Sequence, residues 1–365
     1  MSLVQRRRAS ALTLLALVSA AFVAAPGASA QGSFPLTPTD PLFADQWGLA
    51  KIQAPQAWQE VNATGAGVKI GIVDSGVDLG HEDFACAGKL NVLPGSNIGS
   101  KRAPNDPQDK DGHGTHVAGI AAACTNNGKG VAGVAPEATV IPVRVFDESN
   151  LDKAMATGIT FATNAGAHVV NLSIGDIPPF SHGAAALFPQ TEAALQHART
   201  SGVVIAAAAG NFLQPTCEYP SLSRNVICVV ATDRNDMRSW YTDFPVNADP
   251  RSSSPGLEAV VAAPGGQGTF CDEGIVSTYL RSLESICYSA GYESLDGTSM
   301  SSPHVAGVGA LLYDRLGGVR SQANADLIID TIVQTSDDLY APGWDPIVGF
   351  GRVNALAAVR ALPSL

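Results

Sequence analysis

A serine near the C-terminal end of the chain stands where a reactive hydroxyl could be supported. Ser299 follows Gly297 and Thr298, and the apolar residues after it recur at helix spacing. Thr298 is a favourable N-cap residue, so we expect Ser299 beside a helix N-terminus, where free backbone N–H groups favour negative charge. A hydroxyl that attacks a carbonyl needs such donors, because an oxyanion develops beside it. On its own, such a serine is more often a simple cap.

Two upstream segments supply the groups that a nucleophilic serine requires. Asp74 ends a β-branched run and precedes a glycine turn, which indicates the C-terminal end of a strand, the edge where sites gather in parallel sheets. His113 lies in a glycine turn that leads into a second helical pattern. Either residue alone could be structural. Together with Ser299 they give the chain order aspartate, histidine, serine, which is one of the known orders of a catalytic triad.

Four motifs stand in order and resemble those of the subtilisin-like serine proteases, the subtilases. They are D-S-G-V-D, H-G-T-H-V-A-G-I, A-A-G-N and G-T-S-M-S-S-P-H-V-A-G. The resemblance runs from about Asp40 to Ala361, and the N-terminal arm is most similar to that of thermitase-like members. It implies that Asp74, His113 and Ser299 form a triad and that Asn211 donates to the oxyanion.

The segments between these motifs predict an α/β fold. Strand-like and helix-like patterns alternate, which indicates a single domain with a mostly parallel central sheet and helices on both faces. The predicted strands are 140–145, 169–174, 203–208, 226–230 and 257–261, and the predicted helices are 151–165, 191–200, 323–333 and 353–362.

The N-terminus has the features of a secretory signal peptide over residues 1–30. Arginines precede an apolar run that is too short to span a membrane, and a small-residue cleavage pattern ends at Ala30. We therefore expect residues 31–365 to form a secreted peptidase domain, extracellular or periplasmic, with no membrane span after cleavage. The inhibitory propeptide that subtilases usually carry is not evident. The six cysteines fit export, since an oxidising compartment lets them pair.

The charge balance excludes nucleic acid as an expected partner. The formal net charge is −11, and it becomes more negative once the arginines of the signal peptide are removed. An acidic chain of this kind does not suit a phosphate backbone. The expected partners are protein or peptide substrates, and we expect a monomer.

The resemblance also implies how a substrate binds. A peptide would add as an extra strand along two segments that line the primary pocket, Ser173-Ile174-Gly175 and Ala208-Ala209-Gly210. Glu218 would stand at the floor of that pocket, before a Tyr-Pro bond that is often cis in the family. Two readings of Glu218 stay open: it attracts a basic side chain, or it faces solvent or pairs with an arginine such as Arg224.

Two segments depart from the family pattern. Residues 146–151 are shorter than the corresponding segment and lack its small edge strand, which leaves recognition further upstream in the substrate open. Residues 267–292 are an insertion before the nucleophile, predicted as a disulfide-stapled surface loop. Proximity and the fold suggest the pairs Cys217–Cys228, Cys271–Cys287 and Cys86–Cys124, although six cysteines cannot be paired from sequence alone.

A calcium ion is implied by the loop 125–131, which resembles the family's calcium loop. The resemblance assigns side chains of Asp40, Asp83 and Asn127 and carbonyls of Thr125, Lys129 and Val131 as ligands. Such hard oxygen ligands suit Ca²⁺. The alternative is an ordinary Asn-Gly turn.

The sequence therefore predicts a secreted serine endopeptidase. A catalytically weak or inactive subtilase-fold binding module is the alternative, and it would be expected to lack a triad member, yet none is missing. A purely structural, disulfide-stapled secreted protein leaves the four ordered motifs unexplained.

Overall fold

A six-stranded parallel sheet organises the protein. The computed structural model describes residues 34–99, 103–146, 148–175, 186–246, 259–268, 270–289 and 291–362, so the predicted signal peptide lies outside the described residues. The strands are β1 (Lys69–Asp74), β2 (Thr139–Arg144), β3 (Val169–Leu172), β4 (Val204–Ala208), β5 (Ile227–Thr232) and β6 (Ala259–Pro264). They run in the order β2-β1-β3-β4-β5-β6.

The helices connect and cover these strands. They are α1 (Trp47–Lys51), α2 (Ala54–Val61), α3 (His113–Ala122), α4 (Leu151–Asn164), α5 (Pro189–Thr200), α6 (Thr298–Arg315), α7 (Gln322–Gln334) and α8 (Ala355–Ala361). Among the described residues, no helix is both long and apolar enough to cross a bilayer.

The strand order fixes where a site can form. The chain leaves β1 for β2 on one side and returns to β3 on the other side of β1. The connections therefore diverge at the carboxyl ends of β1 and β3, which is the crevice where ligands bind in open α/β sheets. Asp74 is the last residue of β1, and Ser173 directly follows β3.

Alternation along the strands builds two cores on opposite faces of the sheet. Ile70 and Ile72 are buried in a core with α3 and α6, whereas Val73 and Val143 are buried in another core with α4 and α5. Side chains alternate between faces along a strand, so β1 contributes to both cores. The described residues fall in one compact unit, and the predicted single α/β domain with helices on both faces is confirmed.

The central helix α6 begins differently from the prediction. The N-cap position is Gly297, with φ +146°, and no side chain caps the helix there. The predicted N-cap at Thr298 is therefore wrong: Thr298 is the first helical residue, and its hydroxyl donates to Asn211 instead. Pro303 lies inside this continuous helix and has no N–H to offer the Ser299 carbonyl four residues earlier. That carbonyl accepts a hydrogen bond from Ser173 Oγ at 2.8 Å.

The insertion 267–292 is only partly the surface loop that was predicted. It contains the buried strand β7 (Ile275–Thr278), which pairs antiparallel with β8 (Tyr292–Leu295). The strand packs on α3, where Thr278 Oγ1 donates to the Thr115 carbonyl at 2.7 Å. Ser277 Oγ likewise donates to the His116 carbonyl at 2.7 Å, so two buried hydroxyls hold the strand on this helix.

The three predicted disulfides are confirmed. They join Cys86 to Cys124, Cys217 to Cys228, and Cys271 to Cys287.

Candidate active site

Asp74 and His113 meet at the carboxyl end of β1. His113 is the first residue of α3, and its Nδ1 lies 2.8 Å from Asp74 Oδ1. The Asp74 carboxylate is fully buried and also accepts a bond from the Ser75 N–H at 2.7 Å. The His113 side chain keeps 27% of its surface exposed. A carboxylate on Nδ1 fixes the tautomer of the ring and leaves Nε2 for another partner.

A second aspartate that sequence reasoning missed shapes the loop before His113. The buried carboxylate of Asp109 accepts bonds from Ser75 Oγ at 2.9 Å, from the Gly112 N–H, and from Thr115 Oγ1 at 2.6 Å. It therefore ties the end of β1 to the start of α3. Its position four residues before the histidine places it near the predicted site. However, nothing in the sequence distinguishes a buried aspartate here from an exposed one.

The surroundings of His113 raise the pKa of its imidazole. Burial lowers this pKa, but the carboxylate of Asp74 opposes that effect through charge and a hydrogen bond, with Asp111 and Asp109 adding to it. The net shift is above the ordinary histidine value. The imidazolium is thus stabilised, which is what a residue that must accept a proton requires.

Neighbouring histidines have a different character. His116 Nε2 lies 3.1 Å from the Glu293 carbonyl, and His304 Nδ1 lies 2.8 Å from the Met300 carbonyl. Burial lowers the pKa of His116 to about 3 and that of His304 to about 4. Both rings are therefore neutral donors to backbone carbonyls, in keeping with a structural role.

Ser299 is held between the start of α6 and the end of β3. Its hydroxyl donates to the Ser173 carbonyl at 3.3 Å, and its carbonyl accepts from Ser173 Oγ. Ser173 Oγ also lies 2.9 Å from Ser302 Oγ. Within the described part of the chain, the Ser299 hydroxyl makes no hydrogen bond with His113. Ser173 was expected only to line the pocket, and it also anchors the first turn of α6.

Asn211 follows β4 and points an amide at the same place. Its Oδ1 accepts from Thr298 N and from Thr298 Oγ1, both at 2.9 Å. Because a backbone N–H can only donate, this contact orients the amide and leaves Nδ2 without a partner among the described residues. A Cβ atom built on Gly297 would lie 3.7 Å from both Asn211 Nδ2 and Ser299 N. Two donors therefore converge beside Ser299, an arrangement that can stabilise an oxyanion.

Ser173, Ile174 and Gly175 line a cavity of about 460 Å³ together with His113. Ala208 and Ala209, at the end of β4, are buried. The segments predicted to hold a peptide thus lie next to the histidine and the serine.

Glu218 lies against the two predicted pocket glycines. A Cβ atom built on Gly175 would be 3.1 Å from Glu218 Oε2, and one built on Gly210 would be 2.6 Å from Glu218 Cδ and would collide with Asp243 Oδ2. Glu218 is only 6% exposed, so the solvent-facing reading is wrong. The following Tyr219-Pro220 bond is cis, as expected.

The predicted calcium ligands gather around two buried carboxylates. Asp40 accepts from the N–H groups of Asn126 and Asn127 at 2.7 and 3.1 Å, and Asp83 accepts from Asn127 Nδ2 at 2.9 Å and the Val131 N–H at 3.0 Å. Burial raises the pKa of both carboxyls, and the charge of Asp83 adds to the shift at Asp40.

The rest of the predicted calcium site follows the same loop. Asn127 Oδ1 accepts from the Lys129 N–H at 2.8 Å, and Thr125 begins the loop beside Cys124. No group of three or more His, Cys, Asp or Glu side chains poised to hold a metal occurs in the described segments. A metal bound here would therefore depend on amide and carbonyl oxygens as well as on the two carboxylates.

Comparisons with known proteins agree with this geometry. The chain matches the Subtilase family over residues 65–351. Thermitase of Thermoactinomyces vulgaris is 41% identical over 331 residues, which cover 89% of this chain and 99% of that protein. Subtilisin BL of Lederbergia lenta is 35% identical over 316 residues, covering 86% and 98%. A solved protease from Pseudoalteromonas arctica PAMC 21717 superposes with a TM-score of 0.72 and 32% identity over 89% of this chain and 99% of that one. The chain belongs to the subtilase family of serine endopeptidases.

Proposed function

We propose that this protein is a secreted endopeptidase that hydrolyses peptide bonds with Asp74, His113 and Ser299 as its triad and Asn211 as an oxyanion donor. The observation that carries the proposal is the junction at the carboxyl edge of the sheet. There the His113–Asp74 hydrogen bond of 2.8 Å lies near a serine at a helix N-terminus, beside two convergent N–H donors.

The proposed reaction follows from what each group can do. Ser299 Oγ attacks the peptide carbonyl as its proton passes to His113 Nε2, and the oxyanion accepts hydrogen bonds from Asn211 Nδ2 and the Ser299 N–H. The amine leaves with the proton from His113, and the acyl group stays on Ser299. Water then attacks this ester with His113 again as base, which releases the acid and restores the serine.

Asp74 positions and charges the base in this scheme. Its carboxylate holds the Nδ1–H tautomer of His113, and in a buried place it stabilises the imidazolium. The Ser299 hydroxyl must turn from the Ser173 carbonyl toward His113 as substrate binds. Catalytic hydrogen bonds are often formed only in the substrate complex, so this reorientation is compatible with the role.

We further propose that Ca²⁺ binds at Asp40 and Asp83. Two buried carboxylates with raised pKa values contact the same loop, 125–131, and a cation would neutralise both. The side chains of Asp40, Asp83 and Asn127, with carbonyls of Thr125, Lys129 and Val131, are the oxygen donors that suit this ion. When bound, the metal would link the N-terminal arm at Asp40 to the loop 125–131 and stabilise the fold.

Secretion is supported by the character of residues 1–30 and by the disulfides. All cysteines of the chain take part in the three disulfides, which form in oxidising compartments outside the cytosol. Protein and peptide substrates are the partners that the cleft fits.

The deciding experiment is hydrolysis of casein by the purified protein, with and without a serine-directed sulfonyl fluoride. We expect turnover that the reagent abolishes, with covalent label on Ser299 by peptide mapping. A folded protein that cuts nothing and takes no label would instead be an inactive binding module.

A further inference from the structure

The cavity beside His113 combines apolar walls with two carboxylates. It holds about 460 Å³, enough for more than one amino-acid side chain. Its apolar lining comes from Val145, Phe146, Leu151 and Ile174. The carboxylates belong to Asp111, two residues before His113, and to Glu148, in the short segment that replaces an edge strand. Neither acid transfers a proton or contacts the oxyanion in the proposed bond cleavage, so we ask whether they select the substrate.

The direction of a bound peptide assigns the cavity to particular substrate residues. A peptide that lies extended along residues 173–175 points successive side chains to opposite sides. If the residue before the cut bond meets the Gly175 and Gly210 floor, the second and fourth residues before the bond face the other side, toward this cavity. Of the two acids that line it, Asp111 lies two residues before His113, and Glu148 lies shortly before α4, which begins at Leu151. The nearer acid thus corresponds to the second residue and the farther one to the fourth.

Glu148 is suited to pair with a cation. Its side chain is 16% exposed, so its charge is poorly screened. The Ser149 N–H donates to Oε1 at 3.0 Å and fixes the carboxylate, while the Lys153 ammonium lies 3.9 Å from Oε2 with 59% of its own side chain exposed. A loose, solvated pair of this kind is worth little and is readily exchanged for a better partner.

Asp111 is the more exposed of the two acids. Its Oδ1 accepts a bond from the His113 N–H at 3.3 Å, which keeps the carboxylate at the rim of the cavity. A charge in this position attracts a cation more weakly than a half-buried one does.

We propose that this cavity selects arginine or lysine at the second and fourth residues before the cut bond, with Asp111 and Glu148 as their respective partners. The methylenes of such side chains would pack on Phe146 and Leu151 while the charged ends reach the carboxylates. The preferred substrates are therefore polypeptide segments that carry clustered basic residues. The inference rests on the proposed peptidase function and adds the substrate class.

Matched peptides test each position separately. One pair differs only in arginine or leucine at the second residue before the bond, and another pair only at the fourth. For the wild type, we expect kcat/KM to favour arginine in both pairs. In Glu148→Gln the arginine-to-leucine ratio at the fourth position should fall about tenfold and the ratio at the second should stay the same; in Asp111→Asn the ratio at the second should fall about two- to fivefold. Because each ratio compares two peptides on one enzyme, a changed His113 pKa cancels.

Two further variants sharpen the result. Lys153→Gln removes the competing ammonium and should raise the arginine preference at the fourth position. Asp330→Asn, an exposed aspartate on α7, is the matched control and should change neither ratio. Peptide affinities for Ser299→Ala, measured by calorimetry, give the same ratios without turnover.

The outcomes separate the two claims. If no peptide is cut but Ser299→Ala binds arginine peptides in preference, the catalytic proposal fails and the cavity assignment stands. If peptides are cut while the ratios are at or below one, or are unmoved by both acid substitutions, the cavity assignment is overturned and the peptidase stands.

Discussion

Two regions of the cleft hold acidic side chains in different ways. One, here called the floor, contains Asp74 and Asp109; the other, here called the wall, contains Asp111 and Glu148. On the floor, Asp74 and Asp109 are buried. Protein donors occupy both oxygens of Asp109, whereas Asp74 accepts from the Ser75 N–H and His113 on Oδ1 alone, and its Oδ2 has no hydrogen-bond partner among the described residues. On the wall, Asp111 and Glu148 line an open cavity, and within the described part of the chain each accepts one hydrogen bond, from the His113 N–H and the Ser149 N–H respectively. Asp109, whose two oxygens are occupied by protein donors, organises the protein, whereas a carboxylate that faces a cavity can bind a ligand.

Substitutions in the two regions should therefore have different effects on catalysis. Asp109 and Asp111 are two residues apart and chemically identical, yet Asp109 ties β1 to α3 and Asp111 lines the cavity. Substitutions on the floor should lower the rate for every substrate. Substitutions on the wall should change which substrate is preferred. The predictions below test that division from the largest expected effect to the smallest.

Ser299→Ala is the strongest test of the floor. We expect activity to fall by at least about 10⁴-fold on all substrates, because triad members act as a unit. Circular dichroism and the unfolding temperature should be unchanged, since the lost hydrogen bond to Ser173 is long, at 3.3 Å. Turnover close to that of the wild type would show that another group is the nucleophile.

Asn211→Ala removes one oxyanion donor. The expected loss is roughly 10²–10³ in kcat with KM little changed, a magnitude taken from the equivalent donor in subtilisin, a relative of this chain. The measurement is steady-state kinetics on one uncharged peptide. A matched Thr298→Val variant removes the hydroxyl that donates to Asn211 Oδ1 and accepts from the Gly210 N–H, keeps the Thr298 N–H contact to the amide, and should fall between the two enzymes. A loss confined to KM in Asn211→Ala would contradict the role.

The predicted calcium site is a third place where acidic side chains are buried. Asp40 and Asp83 are buried like the floor residues, and burial raises the pKa of both carboxyls. An excess of chelator should lower the unfolding temperature by several degrees, because an ion at 100 times its Kd adds about 2.7 kcal/mol. Asp83→Asn should have the lower temperature already and lose the response to chelator. An identical melting curve with and without chelator would count against the site.

Glu218→Gln tests a third acid, which is buried like Asp74 and Asp109 but lies against the predicted primary pocket. Its carboxyl group lies against Gly175 and Gly210, with Asp243 beside it, so we expect the wild type to prefer Lys or Arg before the cut bond. The amide should reduce that preference about tenfold. A peptide panel varied only at this residue measures it, with Asp330→Asn as control. A preference for Phe or Leu in both enzymes would end the idea.

How far the sequence predicted this arrangement depends on the range of the contacts. The triad order and the strands were predictable, because each leaves a local pattern or a family motif. The disulfide pairs leave no such pattern, and proximity together with the expected fold suggested them. The hydrogen bond from Ser173 Oγ to the Ser299 carbonyl was not predictable, because it joins residues 126 positions apart. The hydrogen bonds of Asp109 were not predictable either, because in the sequence it resembles any acid in a turn. The residue type of Thr298 predicts an N-cap, but its observed role depends on Asn211, which lies 87 residues away. Such contacts exist only once the sheet has brought the ends of its strands together.

Asp111 also links the wall to the floor, which gives the smallest predicted effect. The pKa of His113 is raised although burial lowers it, because Asp74, then Asp111 and Asp109, add negative charge. Only the neutral imidazole accepts a proton, so kcat/KM should fall as the pH drops through a midpoint above about 6.5. Asp111→Asn should lower that midpoint by a fraction of a unit, measured with a peptide that has no charge near the cut bond. A midpoint at or below about 6.5 in the wild type, or one unmoved by the substitution, would contradict this coupling.

The same shift has a consequence for stability with the opposite pH dependence. Because the folded pKa of His113 lies above its unfolded value, the imidazolium stabilises the folded state fully below the unfolded pKa, and this contribution is lost as the pH rises through the folded pKa. The enzyme is therefore most active in the pH range where the contribution is gone. At a pH above the folded pKa of His113, Asp111→Asn should leave the unfolding temperature unchanged. At a lower pH, where the imidazolium is present, the substitution should lower the unfolding temperature slightly. The charge of Asp111 thus acts on the His113 imidazole, while its hydrogen bond is to the His113 backbone N–H.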